Sequence, residues 1–248
     1  MAQEIRGKDH AGAQVRDSTF NGASFRGTDM RGVTVRASWV EGMRVDGVHG
    51  EVEQVFVNGI DVSPYVVSEL DRLFPERVAL REMSTAADRV AVWTQLAELW
   101  DQTIERGSVD PGASVDDEWS LSETVRHLVF ADDCWTGQML LGGEPFHPWG
   151  LPSDYPPERV GPDLGIDVSV DVPFAELVAL HRARRARFAE LLAGFTDADL
   201  AAPRTGTPAP EWGEETHTVA DCVDTLLREH ANHRRFVERD LASLAEQG

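Results

Sequence analysis

Four segments beyond residue 84 space their apolar residues at helical intervals, and this pattern constrains the fold more than any other feature of the chain. Val90, Val92, Trp93, Leu96, Leu99, Trp100 and Ile104 predict a helix over about 84–105, and others are expected at 121–141, 173–195 and 218–245. Phe174, Leu177, Leu180, Phe188, Leu191 and Leu192 form the stripe of the third, and Val219, Val223, Leu226, Val237, Leu241 and Leu244 that of the fourth. Ser120 and Glu123 have the spacing of a capping box that opens the second. Four long helices imply a bundle. The stretch 142–172 holds six prolines and is too long for an antiparallel turn, so it is expected to cross along the bundle. Its Phe146, His147, Trp149 and Tyr155 are placed either at a pocket mouth or over the bundle end.

The first part of the chain follows another period. Phe20, Phe25, Met30, Val35, Val40 and Val45 recur every five residues, with Gly22, Gly27, Gly32, Ala37, Gly42 and Gly47 two places after each. Period five is neither helix nor strand. The units, such as Ala23-Ser24-Phe25-Arg26-Gly27, resemble the pentapeptide repeat, a four-sided β-helix that stacks its central apolar residues inside. Val52–Val57 then reads as a strand ending in the turn Asn58-Gly59, and 66–73 as a short helix stopped by Pro75. The expected fold class is α+β: a repeat-like β segment over 1–62, a short helix and linker over 63–83, and a helical bundle over 84–248.

Composition narrows the partners. The net charge of −20 argues against nucleic acid, whose partners present basic faces to the phosphates. The acidity is uneven: residues 1–62 carry 7 Arg/Lys against 9 Asp/Glu, leaving 16 against 34 for the rest. No apolar run approaches the roughly 20 residues that span a bilayer, and the start lacks a signal-peptide core, so a cytoplasmic location without a membrane partner is expected. Two cysteines make no disulfide framework.

The chemistry concentrates in Arg228-Glu229-His230-Ala231-Asn232-His233. Residues four apart share a helix face, about 5–6 Å apart at Cβ, so Glu229 and His233 can grip one ion while His230 points roughly 100° away. His230 and His233, three apart, share a face as well, and periodicity leaves the two pairs open. Catalytic zinc sites commonly take three protein ligands, and His127 in the second helix is the candidate third.

With His127 in the second helix and Glu229-x-x-x-His233-Arg234 in the fourth, residues 84–245 resemble the DinB-like superfamily, and within it the branch of mycothiol-dependent maleylpyruvate isomerase and related thiol transferases. The resemblance implies a four-helix bundle and a divalent metal, Zn²⁺ foremost with Ni²⁺ or Fe²⁺ as alternatives, held by His127, Glu229 and His233. It favours Glu229 over His230. It further implies a mycothiol-like thiol adding to a small-molecule electrophile or isomerising it. A hydrolase using metal-activated water and a non-catalytic module that forms homodimers through the repeat are the competing readings.

Other residues carry weaker signals. Cys134 lies seven residues after His127 and Cys222 seven before Glu229, so each faces the way its ligand does and reads as a core thiol or half of a redox pair. Asp132 and Asp133 read as solvated or capping groups, or as second-layer partners of a ligand histidine. The run from His181 to Arg187 reads as a solvated face, with Arg184 a candidate to hold an anionic substrate group. Trp149 is a candidate substrate contact.

Overall fold

The computed structural model describes residue 5 and residues 7–47, 52–116, 118–152 and 163–247. Tyr155, Pro156, Pro157 and Pro162 of the expected crossover lie outside the described residues. The chain divides into two compact units, Met1–Val45 and Asp46–Gly248.

In the first unit the backbone itself has a period of five. Gly7, Gly12, Asp17, Gly22, Gly27, Gly32, Ala37 and Gly42 all have positive φ, so the periodicity begins before Phe20. Turn hydrogen bonds recur every ten residues, with the amides of Ala13, Ala23, Val33 and Met43 donating to the carbonyls of His10, Phe20, Met30 and Val40. No strand occurs among the unit's described residues, and its large apolar side chains are not enclosed: Phe20 is 57% exposed and Phe25 56%. Repeat arrays bury a core by stacking on neighbours, and about eight units offer too few neighbours to cover their own faces.

The second unit opens with a hairpin, β1 (Phe56–Val57) and β2 (Ile60–Asp61), whose turn residues Asn58 and Gly59 both have positive φ. That conformation at both central positions suits Asn-Gly. Helix α1 (Ser63–Leu73) follows, and then α2 (Glu76–Glu82), where the sequence suggested only a linker. Pro75 both stops one helix and caps the next, and α2 buries Glu76, which pairs with Arg234 at 2.5 Å.

The four long helices are α3 (Ala86–Gly107), α4 (Leu121–Asp132, continued as a π-helical segment Asp133–Leu140), α5 (Phe174–Ala193) and α7 (Val219–Gln247). Between α5 and α7 lie a single turn, α6 (Asp197–Leu200), and the antiparallel strands β3 (Pro203–Gly206) and β4 (Glu215–Thr218), joined through a 3₁₀ turn at Pro210–Trp212. Reciprocal Ser/Thr and Asp/Glu caps open α3, α4 and α6. At α7 the Asp221 carboxylate accepts from the Thr218 amide, and the Thr218 hydroxyl accepts from the Asp221 amide. Such boxes satisfy amide donors that a helix start leaves open.

Helices α3 and α4 each pack against both α5 and α7. Arg89 meets Asp224, and Trp100 donates its indole N–H to the His230 carbonyl, so α3 and α7 run parallel. His127 meets Glu229 while Trp135 meets His217, so α4 and α7 run antiparallel. One core cluster centres on Trp93, Leu96, Phe188, Leu192 and Leu226, and another on Trp100, Val125, Leu128 and Leu177. Each such fully buried side chain contributes about 1.5–3 kcal/mol relative to exposure, which fixes the rotation of each helix about its own axis.

The junction of α4 with its π segment corrects one sequence expectation. Asp132 and Asp133 are neither solvated nor capping groups exposed to water, being 3% and 1% exposed. Asp132 accepts from the Thr136 hydroxyl at 3.0 Å, and Asp133 accepts from the His147 amide at 2.6 Å. Arg184 reaches Asp133 at 2.7 Å and Asp132 at 3.9 Å, so it is engaged by protein carboxylates. Its neighbours Arg182 and Arg185 pair with Asp101, and Arg187 with Glu144. Burial raises the Asp132 carboxyl from 3.8 to about 7 against the pull of Arg184, and raises Asp133 to about 6 against its bond from the His147 amide.

Because the folded state holds the Asp132 proton more tightly than the unfolded chain, this group's contribution to stability falls as pH rises from about 4 to about 7. Above that window it is flat. Asp132→Asn is therefore expected to gain stability relative to the parent as pH rises through the window, on the order of 2 kcal/mol. Urea unfolding of both proteins at pH 5 and pH 7.5 measures this, and a pH-independent difference would contradict the burial argument.

Candidate metal centre

Antiparallel packing of α4 on α7 sets His127 opposite one turn of α7. One ligand-capable atom from each of His127, Glu229 and His233 lies within 4.8 Å of the others. His127 Nε2 is 3.4 Å and His233 Nε2 3.2 Å from the Glu229 carboxylate oxygen Oε2. Around an ion bound at about 2.0–2.1 Å, tetrahedral ligand atoms stand roughly 3.3 Å apart, so the two spacings suit a small divalent cation. The donor set, two imidazoles and a carboxylate, is one that zinc and its first-row neighbours accept.

The hydrogen bonds of His127 sharpen this fit. Its Nδ1 lies 2.9 Å from the Leu151 carbonyl, an acceptor, and so carries a proton. Nε2 faces the Glu229 carboxylate oxygen, a contact that either a proton or a cation between the two atoms makes favourable. Burial raises the Glu229 carboxyl, but the bonds from His127 and His233 outweigh it and hold the group below the usual carboxylate range. The carboxylate therefore stays ionised, as a ligand must.

A further layer of contacts steadies the triad. The Leu151 amide donates to the Arg126 carbonyl, and the Arg126 guanidinium donates to the carbonyls of Trp149, Asp167 and Val168. Two successive residues of α4 thus tie down the loop whose carbonyl orients the His127 ring, an arrangement usual behind metal-ligating histidines. Trp119 stacks on the His233 ring at 6.0 Å and lies 4.9 Å from the His127 ring, while Phe236 meets His233 edge-on at 5.9 Å. These aromatic faces pack around the candidate ligands, whose His233 and Glu229 side chains remain partly exposed.

A cavity of about 210 Å³ opens beside the triad, with Phe130, Cys134, Trp135, Trp212, Asn232 and Phe236 in its wall. Cys134 reaches this wall as its seven-residue spacing from His127 indicated. Cys222 does not line the cavity, neither thiol is in a disulfide, and burial pushes the Cys222 thiol up to about 11.

His230 is not with the triad. It is 2% exposed, stacked on His181 at 5.4 Å and edge-on to Trp93 at 4.7 Å. Burial pushes both imidazoles well below their ordinary pKa, and neither ring nitrogen of His181 has a hydrogen-bond partner among the described residues. The roughly 100° between successive helical residues sends Glu229 to the site and His230 to the core. Trp149 contributes its backbone carbonyl to Arg126, and its ring meets His147 at 5.0 Å away from the cavity wall. Asp132 and Arg184 are likewise absent from that wall. Sequence reasoning missed Trp119, Trp135, Trp212 and the Leu151 carbonyl. Only Trp119 had a local signal, standing just before the capping residue of the helix that carries His127.

No curated protein and no solved structure matches the chain. The family model described as the DinB superfamily matches residues 112–237, which takes in α4, α5, the β3–β4 hairpin and all three members of the triad. The chain belongs to the DinB superfamily.

Proposed function

We propose that this protein is a metal-dependent DinB enzyme with a four-helix bundle. In this reading it joins a low-molecular-weight thiol of the mycothiol type to a small electrophile, or isomerises that electrophile, in the cytoplasm. The convergence of His127, Glu229 and His233 carries the reading, together with membership of a superfamily that includes metal-dependent enzymes. Zn²⁺ is the proposed ion. A divalent cation at these ligands supplies Lewis acidity and deprotonates a bound thiol.

The chain's own groups have separable tasks. His127 and His233 offer neutral nitrogen ligands, Leu151 holds the His127 tautomer, and Glu229 brings one negative charge. Two neutral imidazoles and one carboxylate leave a divalent site with net positive charge, which suits an incoming thiolate. Trp119 and Phe236 flank the His233 ring and give the site an apolar border, which suits sulfur as the nucleophile. The hydrolase alternative requires turnover without thiol.

A specific observation favours a second role for the first unit. Phe20, Phe25, Val35, Val40 and the fully exposed Trp39 present apolar surface there, of the kind that marks interaction sites. We propose residues 1–62 as an assembly segment that mediates homodimers, followed by the short helices at 63–83 and a catalytic unit at 84–248.

Three outcomes test these readings. Elemental mass spectrometry of untagged protein is expected to find about one equivalent of divalent metal in the parent, with at least tenfold less in His127→Ala, Glu229→Ala and His233→Ala. His230→Leu should keep its metal, and a metal-free parent that takes up no added zinc would sink the enzymatic reading. Consumption of thiol with a model electrophile should fall at least about 100-fold in Glu229→Ala, and equal turnover without thiol would favour the hydrolase. Removing residues 1–62 should convert a dimer to a metal-retaining monomer by light scattering, and an unchanged oligomeric state would overturn the assembly role.

A further inference from the structure

The wall of the cavity narrows the substrate class. Phe130, Trp135, Trp212 and Phe236 are aromatic, and Asn232 is the neutral polar group among them. Among the described residues the wall holds no Lys or Arg. Arg184 is committed to Asp132 and Asp133, and Arg234, next to His233, is buried against Glu76 and Glu238.

Charge counting leads the same way. A divalent ion, the Glu229 carboxylate and one thiolate sum to zero. No positive charge remains at the triad to hold a carboxylate on the second substrate, and the wall supplies none. Burying an unpaired carboxylate there would be costly, and the chain's net charge of −20 would repel it from a distance.

We propose that the electrophile is an uncharged aromatic molecule with a polarised double bond, and that Trp135 and Trp212 are the residues that select it. This rests on the metal-and-thiol reading above. Trp135 projects from the π segment and Trp212 from the 3₁₀ turn between β3 and β4, with ring centroids 6.1 Å apart. His217 on β4 braces Trp135 edge-on at 5.5 Å. Trp212 is 36% exposed, so it stands at the mouth where an entering ring meets it first. Aromatic pairs stabilise one another beyond the area they bury, and two such faces are enough to rank substrates. The Asn232 amide is the group that meets a substrate carbonyl.

The reaction balances without an oxidant. The thiol gives up its proton, sulfur bonds to the β-carbon, the double-bond pair moves toward the carbonyl, and a proton is returned at the α-carbon.

Isothermal titration calorimetry of the full-length, metal-loaded protein saturated with 2-mercaptoethanol, with cinnamamide and with maleate as ligands, tests the proposal, with metal content measured on every sample. Cinnamamide should bind the parent, and about tenfold more weakly Trp135→Ala and Trp212→Ala at unchanged metal content. Trp212→Phe should recover most of the loss, and maleate should bind the parent at least tenfold more weakly than cinnamamide. Trp212 is partly exposed, so its variants keep the test readable should Trp135→Ala not fold. Maleate binding as tightly as cinnamamide, no binding of cinnamamide, or parent-like binding by the Trp212 variants would overturn the proposal. A parent that takes up no metal yet binds cinnamamide through Trp135 and Trp212 would overturn the metal reading and leave the aromatic pocket standing.

Discussion

The packing of α4 against α7 is the constraint on which the rest depends. It is antiparallel and buried, so its register is set by apolar side chains that carry no chemistry, Val125 and Leu128 clustering with Val237 and Ala131 with Leu227 and Ala231. The polar groups inherit their positions from it. His127 reaches Glu229 and His233 because the cores around Trp93 and Trp100 leave each helix one favourable rotation. The carboxylate, costly to bury alone, is tolerated because two imidazoles meet it there.

Hydrogen bonding from successive positions extends that order outward. Arg126 gathers carbonyls from the loop after α4 while His127 takes the Leu151 carbonyl, so one helical turn organises both loop and ligand. The π segment has the complementary effect on the far side. Its wider hydrogen-bond spacing, seen where the Leu141 amide donates to the Thr136 carbonyl, accompanies the placement of Cys134 and Trp135 in the cavity wall. Such bulges are frequent at functional sites.

Much of this was legible in the sequence, for reasons that differ by element. Counting the π segment with α4, the long helices lie within two residues of the expected bounds, because apolar periodicity and capping boxes are local signals. The triad was legible because i,i+4 spacing is local too, although choosing Glu229 over His230 needed the resemblance. Helix α2 was hidden by Pro75, which signals a stop and a start alike. The β3–β4 hairpin is short, with Pro203 and Gly206 inside β3, and its pairing depends on distant chain. The π segment is a slip in hydrogen bonding without a composition of its own. Asp132 and Asp133 misled because burial with Arg184 is a tertiary event. In the first unit the period of five is present in both sequence and backbone, whereas the exposure of Phe20 and Phe25 follows from how few turns surround them.

Glu229 and His230 are consecutive residues serving opposite sides of α7. The His230 carbonyl accepts from the Trp100 indole while its ring lies on His181, so the helix is pinned at the residue adjoining a candidate ligand. A small roll of α7 that relieved crowding around Trp93 would swing the Glu229 carboxylate away from His127 by a comparable angle. The site thus has no adjustment of its own. The geometry offered to any ion is set by how stiffly an indole and an imidazole, both remote from the cavity, resist rotation of the shaft between them.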